Sequence, residues 1–319
     1  MLPREEFAHL PTPIDHLPRL SKSLPGPELW IKRDDQTGLA FGGNKTRKLE
    51  YLMGDAVSKG ADSVLSTGAA QSNHCRQTAA AAARIGLDCT LVLVGPEPDQ
   101  LSANTFLDTL LGAKIVWTDQ SSRDLVIEST FNQQREAGAI PYLIPYGGSN
   151  ALGAYAYFQA YQELLQQLGG ELPDWIVFAS SSGGTQAGLF LASQVFKGPK
   201  VLGISVDEPQ VCLRETVARI TKDLMDLVDE EIDIDPGQIQ INASYTGEGY
   251  GIMNDRDRKA IRIFAEKEGI LLDPVYTGRA GGGLLDLIHQ GFFAKDQKIL
   301  FWHTGGTPGL FAEQYLRDI

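Results

Sequence analysis

The sequence is poor in cysteine and histidine, and neither residue type forms a recognisable motif. Its three cysteines, Cys75, Cys89 and Cys212, are odd in number and match no zinc-site or Cys-x-x-Cys spacing. We therefore expect reduced thiols, which are typical of a cytoplasmic compartment. The five histidines form neither an HxxxH nor an HExxH pattern, so the sequence predicts no metal site.

Long hydrophobic runs and clusters of basic residues are also missing. No apolar run reaches the roughly 20 residues needed to span a bilayer, and the N-terminus has no apolar core of signal-peptide length. With 28 Lys and Arg against 40 Asp and Glu, the net charge is −12. A chain of this charge repels polyanions, so we expect no nucleic-acid or anionic-membrane partner. The cysteine pattern and the lack of long apolar runs lead us to expect a cytoplasmic location.

Strand-like and helix-like segments alternate along the 319 residues, which are 43% hydrophobic. Strands are predicted at residues 63–66 and 175–179, and helices at residues 73–85, 151–168 and 284–290. Repeated β-α units with right-handed crossovers form parallel sheets that helices cover on both faces. The sequence therefore predicts an α/β fold with enough core for one large or two medium domains.

The stretch FGGNKTRKLE at residues 41–50 places two glycines and an asparagine directly before Lys45. Glycines let a backbone or a ligand approach closely, so the Lys45 amine could face a cleft and form a Schiff base with a cofactor. A solvated lysine at a helix start is the alternative. A P-loop is rejected, because Asn44 separates Gly43 from the lysine and breaks the required spacing.

Two glycine- and serine-rich turns follow predicted strands, where ligands of open α/β sheets bind. The turn SSSGGT at residues 180–185 opens a helix, and its N–H groups would suit a single phosphate, with a plain flexible turn as the alternative. The turn QSNH at residues 71–74 contains Ser72, which is either a helix N-cap or a catalytic hydroxyl.

Two further turns carry an aromatic side chain and a histidine. Residues 272–278 present Tyr276, for which core packing is the alternative to a cofactor platform. Residues 303–308 begin with His303, which we expect to be a buried core residue rather than a catalytic one.

Together these motifs resemble the pyridoxal-phosphate-dependent enzymes of fold type II, in the group of D-cysteine desulfhydrase and 1-aminocyclopropane-1-carboxylate (ACC) deaminase, and most closely the desulfhydrases. The segments that carry the resemblance are Pro11-Thr12-Pro13, Ile31-Lys32-Arg33-Asp34-Asp35, Gly42-Gly43-Asn44-Lys45, Gln71-Ser72-Asn73-His74, Gly147-Gly148-Ser149-Asn150, Asp273-Pro274-Val275-Tyr276 and His303-Thr304-Gly305-Gly306.

The resemblance implies a fold like that of the tryptophan synthase β subunit, with two parallel-sheet, three-layer domains and pyridoxal 5′-phosphate in the cleft. Residues 1–48 and 163–319 would form the large cofactor-binding domain, and residues 49–162 a smaller inserted α/β domain. The resemblance also implies a homodimer that acts on a small amino acid.

Individual residues take roles from the same resemblance. The implied catalytic residues are Lys45, Ser72, Tyr250 and Tyr276. The implied cofactor-binding residues are Lys45, Asn73, Gly183, Gly184, Thr185, Tyr276, Thr277 and Thr304. The implied substrate-binding residues are Ser72, Asn73, His74, Tyr250 and Thr307. Lys45 would hold the cofactor and remove the Cα proton, Asn73 would bind the phenolic oxygen, and the Tyr276 ring would stack on the pyridine.

Thr277 departs from the pattern of the ACC deaminases, which place a glutamate beside the pyridine nitrogen. A carboxylate keeps that nitrogen protonated and strengthens the electron sink, whereas a hydroxyl carries no charge. Elimination of a thiolate needs a weaker sink than opening a cyclopropane. Thr307, where the deaminases tend to carry leucine, supports the same interpretation. We therefore expect β-elimination, with D-cysteine giving pyruvate, hydrogen sulfide and ammonia.

Three alternatives stay open at this point. An L-cysteate sulfo-lyase would perform the same elimination and release sulfite, and it would need a cation for the sulfonate, which Arg279 or Arg76 could supply. The second alternative is ACC deaminase. The third is a non-catalytic protein that binds pyridoxal phosphate or an amino acid.

Overall fold

The computed structural model describes residues 2–316, in which helices and strands alternate as predicted. The strands are β1 (Ile14–His16), β2 (Glu28–Arg33), β3 (Ser63–Ala69), β4 (Asp88–Val94), β5 (Lys114–Thr118), β6 (Pro141–Leu143), β7 (Trp175–Ser180), β8 (Lys200–Ser205), β9 (Gln240–Asn242) and β10 (Lys298–His303). The α-helices are α1 (Pro18–Ser23), α2 (Asn44–Ser58), α3 (Asn73–Ile85), α4 (Ala103–Leu110), α5 (Arg123–Glu136), α6 (Ala151–Leu168), α7 (Gly184–Val195), α8 (Gln210–Val228), α9 (Asp255–Glu268) and α10 (Thr277–His289).

Two β-sheets organise the chain. The larger sheet has the strand order β1-β2-β10-β7-β8-β9, and the smaller sheet has the order β5-β4-β3-β6. All neighbouring strands are parallel except the edge strand β1, which pairs antiparallel with β2. Strand β7 is buried along its whole length, as expected for a parallel strand that helices cover on both faces. The predicted α/β fold with parallel sheets in two domains is confirmed.

The strands of the two sheets come from different parts of the chain. Every strand of the smaller sheet lies within residues 49–162, and every strand of the larger sheet lies outside them. The predicted boundaries themselves fall inside α2 and α6. The boundaries therefore stay a prediction, although the assignment of each strand to one of the two parts agrees with it.

Most helices lie where the hydrophobic pattern places them, and α3 and α6 have the predicted bounds. Helix α10 begins at Thr277, whereas the sequence predicted a start at residue 284. The prediction missed the first part of the helix because glycines at positions 278 and 281–283 interrupt the apolar pattern. These glycines permit close packing, since a Cβ on Gly278 would lie 2.6 Å from the carbonyl oxygen of Asp273. Within the described residues, no helix is long and apolar enough to cross a membrane.

Candidate active site

A cleft opens where strands of both sheets end. Strand β3 leads into α3 there, β7 leads into α7, and β10 leads into the turn after His303. The cleft contains about 610 Å³ of empty space including its open mouth. Its lining residues are Asn44, Lys45, Ser72, Asn73, His74, Tyr146, Gly147, Ala179, Ser180, Ser181, Ser182, Gly183, Thr185, Tyr276, Thr304 and Gly305. The structure thus brings together eight of the twelve predicted site residues, which are Lys45, Ser72, Asn73, His74, Gly183, Thr185, Tyr276 and Thr304.

Lys45 lies in the first turn of α2 with its amine in the cleft. The preceding Gly42 and Gly43 have φ of 66° and 126°, and a Cβ on Gly43 would lie 2.7 Å from Nε2 of Gln77. Only glycine fits this approach. Lys45 Nζ donates to the carbonyl oxygen of Gly147 at 2.8 Å, and burial lowers the pKa of the amine to about 8. Lys45 is therefore a partly neutral amine in a cleft, and the alternative of a solvated cation does not hold.

Lys48 is a second buried lysine, and no sequence motif indicated it. It lies one helical turn after Lys45, and its Nζ donates to Ser149 Oγ at 3.1 Å and to the Gly147 carbonyl oxygen at 3.3 Å. Burial, together with the nearby Lys45 cation, holds the pKa of Lys48 well below its ordinary value. The spacing of three residues puts both lysines on one helix face, and this spacing was the available sequence signal.

The start of α7 forms a cradle of backbone N–H groups beside Lys48. A Cβ on Gly184 would lie 2.7 Å from Ser149 Oγ and 3.0 Å from Lys48 Nζ, so the absence of a side chain keeps the cradle open. Ser180 Oγ is buried there without a hydrogen-bond partner among the described residues. Asn44 Nδ2 donates to Thr185 Oγ1 at 3.2 Å and joins α2 to this helix. A lysine amine, a helix N-terminus and an unpaired hydroxyl together suit a phosphate group.

The start of α3 forms the opposite wall of the cleft. Ser72 is the N-cap of α3, since its Oγ accepts a hydrogen bond from the Cys75 N–H at 3.2 Å, and the same side chain lines the cleft. Asn73 follows it, with Oδ1 accepting from Arg76 at 2.8 Å. Ser72 thus both caps α3 and lines the cleft, so the two interpretations of Ser72 do not exclude each other.

The two histidines of the predicted turns have different surroundings. His74 lines the cleft, but its Nε2 lies 2.9 Å from Ser66 Oγ, and burial lowers the pKa of the ring well below its ordinary value. His74 is therefore a neutral ring that is held by β3. His303 is fully buried, and its ring nitrogens contact the backbone of Leu271 at 3.1 Å and of Gly305 at 3.2 Å. His303 is the core residue that the sequence predicts.

A pair of tyrosines extends one wall of the cleft. Tyr276 lines the cleft, and Tyr250 lies behind it with the two hydroxyl oxygens 2.6 Å apart. Their rings pack edge to face at 5.8 Å, and burial raises the pKa of both hydroxyls well above the ordinary value. Tyr146 also lines the cleft and was missed, because it precedes the Gly-Gly turn without any distinguishing pattern.

Three more predicted residues do not line the cleft. Gly184 lies at the N–H cradle, and Thr307 begins a 3₁₀ helix, Thr307–Phe311, just past the lining turn. Thr277 is fully buried, where its hydroxyl donates to Asp273 Oδ1 at 2.7 Å and accepts from the Asp273 N–H at 2.7 Å. A carboxylate thus lies directly behind the hydroxyl of Thr277, which the sequence argument about charge did not consider.

Neither arginine that was considered as a sulfonate ligand lines the cleft. Arg279 is fully buried and donates to the backbone carbonyls of Val206, Gly249 and Ile252. Arg76 is also fully buried, and each of its guanidinium nitrogens already donates to a protein oxygen. The expectation that one of them could bind a substrate anion is therefore corrected, because both are committed to holding the fold.

An α/β fold with two parallel sheets, a lysine amine in the cleft and a phosphate-sized cradle beside it is typical of enzymes that attach a phosphorylated aldehyde cofactor to a lysine. The sequence model of the pyridoxal-phosphate dependent enzymes matches residues 6–305, and the chain belongs to this family. The cofactor is pyridoxal 5′-phosphate, as predicted, and the donor set of the cleft fits it.

Solved structures with the same fold include enzymes of several activities. A crystal structure of an ACC deaminase homologue is 37% identical, with a TM-score of 0.91, and the match covers 99% of this chain and 96% of that chain. An L-serine ammonia-lyase from Rhizomucor miehei is 15% identical, with a TM-score of 0.69 and coverage of 98% and 99%. A hydrogen sulfide-producing enzyme from Fusobacterium nucleatum is 17% identical, with a TM-score of 0.65 and coverage of 93% and 96%. At such low identity, the last two are similar in fold alone.

Proposed function

We propose that the protein is a carbon-sulfur lyase that converts D-cysteine into pyruvate, hydrogen sulfide and ammonia. The observation that carries the proposal is the Lys45 amine, which lies in the cleft with a pKa lowered to about 8 by burial. A base with a pKa near the working pH is suited to removing a proton from the Cα of an amino acid. A protein that only bound the cofactor would gain nothing from such a base.

Each wall of the cleft has a part in holding the cofactor. In this proposal Lys48, Gly184 and Thr185 bind the phosphate at the start of α7, where the helix dipole favours an anion. Tyr276 would pack on the pyridine ring, and Asn73 would donate to the phenolic oxygen. Thr277 would lie behind this wall, because it is fully buried and its hydroxyl already donates to Asp273.

Bound pyridoxal phosphate supplies an electron sink that stabilises negative charge on the substrate Cα. Lys45 would hold the cofactor, and its amine, once free, would take the Cα proton of the substrate. The substrate carboxylate binds at the start of α3 beside Ser72, where the helix N-terminus favours an anion. As the C–S bond breaks, the electron pair leaves with sulfur as hydrosulfide, whose negative charge the Tyr276–Tyr250 hydroxyl pair would stabilise by hydrogen bonding. The released enamine hydrolyses to pyruvate and ammonia.

ACC deaminase is the second candidate, because the solved structure with 37% identity is an ACC deaminase homologue. Thr277 in place of the glutamate of the deaminases is evidence against ACC deaminase, because a hydroxyl carries no charge. The Asp273 carboxylate behind that hydroxyl weakens this evidence, because it places a negative charge nearby. The L-cysteate alternative loses support, because a sulfonate requires an available cation and both Arg279 and Arg76 are engaged elsewhere.

A side-by-side assay tests the proposal. The enzyme would be supplied with D-cysteine, L-cysteine, L-cysteate and ACC in turn, and 2-oxo acid, sulfide, sulfite and ammonia would be quantified. We expect D-cysteine to give equal amounts of pyruvate and sulfide with the highest kcat/KM. Turnover of ACC at a comparable or higher kcat/KM would contradict the proposal and favour the deaminase. No turnover of any of the four would favour a protein that only binds the cofactor.

A further inference from the structure

A buried polar cluster lies behind the cleft wall that Asn73 forms. It consists of Asn73 and Arg76 on α3, Asn104 on α4 and Gln71 before α3, and we call it the carboxamide cluster. Arg76 and Asn104 are both completely buried, and neither lines the cleft. Burying polar groups this deeply is costly unless they are hydrogen-bonded, and a fully hydrogen-bonded network is rigid. The cluster is therefore suited to holding a neighbouring side chain in one orientation.

The hydrogen bonds of the cluster fix the orientation of both asparagine amides. Arg76 Nη1 lies 2.8 Å from Asn73 Oδ1 and 2.6 Å from Asn104 Oδ1. A guanidinium only donates, so the atoms that face it must be oxygens. Asn104 Nδ2 lies 2.8 Å from the Gln71 carbonyl oxygen, which only accepts, so this atom must be a nitrogen. The orientation follows from chemistry and leaves no freedom for a flipped amide.

Asn104 completes the arrangement by donating to Asn73 Oδ1 at 3.1 Å. The oxygen of Asn73 thus accepts from two buried donors and is turned away from the cleft. Its Nδ2 points to the other side, where a Cβ on Gly306 would lie 2.9 Å from it. Within residues 2–316 this Nδ2 donates to no protein atom. The cluster therefore leaves a free N–H donor on Asn73, which is itself a lining residue of the cleft.

The same arginine also holds the loop that leads to Lys45. Arg76 Nε donates to the carbonyl oxygen of Ala40 at 3.0 Å, and Nη2 donates to that of Gly42 at 3.0 Å. Ala40 has φ of 43°, a left-handed conformation that costs energy for a residue with a Cβ. The guanidinium of Arg76 thus fixes both the Asn73 amide and the loop that precedes Lys45. Lys45 and the Asn73 amide are therefore held in a fixed relative position.

We propose that Asn104 is a positioning residue, which with Arg76 locks the Asn73 amide so that its N–H donates to the ionised phenolic oxygen of pyridoxal phosphate. The phenolic oxygen and the aldehyde carbon that bonds to the lysine are substituents on neighbouring ring atoms, so a donor held in register with Lys45 would lie near that oxygen. The inference rests on the role given to Asn73 in the proposed function. Asn104 contacts neither substrate nor cofactor and acts only through Asn73.

The consequence is spectroscopic. A donor to the phenolic oxygen weakens that oxygen's hold on the proton it shares with the lysine nitrogen. The visible absorption band of the lysine-bound cofactor titrates with pH. Loss of the donor therefore increases the pH midpoint of this titration. For Asn104→Ala, which removes one of two groups that hold the amide, we expect an increase of about half a pH unit.

A second variant makes the effect larger. In Asn104→Asp the new carboxylate still accepts from Arg76, but it has no N–H to donate and repels both Asn73 Oδ1 and the Gln71 carbonyl oxygen, which pushes the Asn73 amide out of its fixed position. We expect its midpoint to increase by about one pH unit, close to the change in Asn73→Ala. The other charged groups near the guanidinium, Asp108 and Asp273, are unchanged in both variants of Asn104.

Thr105→Ala is the matched control on the same helix. Thr105 Oγ1 accepts from the Ser102 N–H and donates to the Ser102 carbonyl oxygen, so its loss weakens the start of α4 without touching Asn73. We expect Thr105→Ala to lower the melting temperature while the midpoint stays that of the wild type. The measurement is the absorption spectrum of each holoenzyme over a pH series.

The variants separate two kinds of failure. Spectra of Asn104→Ala and Asn104→Asp that superimpose on the wild type at every pH, while Asn73→Ala differs, would overturn the positioning role of Asn104. If Asn73→Ala also superimposes, the role of Asn73 fails and the inference falls with it. The substrate proposal is untouched in either case, because the spectra are recorded without substrate.

Discussion

Lys45 and Lys48 share the carbonyl oxygen of Gly147, yet their surroundings prepare them for different tasks. Lys45 lies in the cleft near the start of α3, whereas Lys48 faces Gly184 at the start of α7. Burial lowers the pKa of both amines. In our proposal a phosphate restores the positive charge on Lys48, while Lys45 stays neutral enough to attack an aldehyde.

The lowered pKa of Lys45 predicts how the apoprotein takes up its cofactor. Only the neutral amine attacks, so the rate at which the visible band appears should increase about tenfold per pH unit and become constant above about pH 8. The same reaction with an acetylated lysine amide, whose amine is unperturbed, serves as the control and should continue to accelerate beyond about pH 10. If the rate of cofactor attachment to the apoprotein depends on pH in the same way as the control reaction, burial does not lower the pKa of Lys45.

At this scale the sequence identifies side chains that belong to distinctive motifs. Lys45 and Tyr276 were found from their motifs and do line the cleft. Tyr146, Lys48 and Asp273 were not assigned roles, because their positions depend on the direction in which a side chain leaves a helix or turn. Only the packed elements fix that direction.

Helix α10 is the element that places Tyr276 at the cleft. The Asp273 carboxylate accepts from the N–H groups of Val275, Tyr276 and Thr277, and so satisfies donors that have no partner within the helix. The glycine at position 278 lets the helix start directly against this carboxylate. Glycine-rich helix starts are difficult to recognise from hydrophobic periodicity, whereas α3 and α6 have regular patterns and were predicted with their bounds.

Gly278 should be intolerant of a side chain for this reason. In Gly278→Ala the new Cβ would lie 2.6 Å from the Asp273 carbonyl oxygen and 3.0 Å from the Ile261 side chain. We expect the free energy of unfolding to decrease by about 1–3 kcal/mol, despite the better helix propensity of alanine. Gly26→Ala is the control, since its Cβ would make an ordinary 3.4 Å contact with Ile288 and should change stability by less than about 0.5 kcal/mol. Denaturant unfolding of both variants measures the difference.

Across the whole molecule, a buried charged network joins the larger sheet to α2 and α6. Asp34 accepts from Arg47 at 2.9 Å, from Tyr157 at 2.6 Å and from Trp302 at 2.8 Å, and Arg47 also pairs with Glu163 at 2.9 Å. Burial alone would raise the pKa of the Asp34 carboxyl, but the Arg47 guanidinium more than offsets this and holds the pKa below its ordinary value. Because Arg47 lies on α2, the network also anchors the helix that carries Lys45.

The lowered pKa of Asp34 predicts how stability depends on pH. Its contribution is fully present above the unfolded-state pKa of about 4 and is lost as the pH falls through the lower folded-state pKa. We expect Asp34→Asn to decrease the free energy of unfolding by about 3–5 kcal/mol at neutral pH, because the substitution leaves the buried Arg47 without the Asp34 carboxylate.

Below pH 4 the stabilities of the variant and the wild type should therefore converge. Asp15→Asn removes only an exposed ion pair with Arg33 and should cost less than about 1 kcal/mol. If the difference in free energy of unfolding between Asp34→Asn and the wild type stays constant as the pH falls below about 4, the account is contradicted.

The sequence predicts the architecture of the molecule well, because alternating β-α units leave few possible topologies. It does not predict which pairs of elements form the network around Asp34, since those contacts join residues that are distant in the chain. The homodimer, the cytoplasmic location and the domain boundaries inside α2 and α6 stay predictions.

The central claim is that Lys45, and not the neighbouring Lys48, bonds to pyridoxal phosphate in this cleft. Borohydride reduction of the holoenzyme makes that bond permanent, and peptide mapping by mass spectrometry then locates the pyridoxyl group. We predict modification of Lys45 alone, and no stable modification in Lys45→Ala. Modification of Lys48 in the wild-type protein, or a visible band of full intensity in Lys45→Ala, would contradict the account.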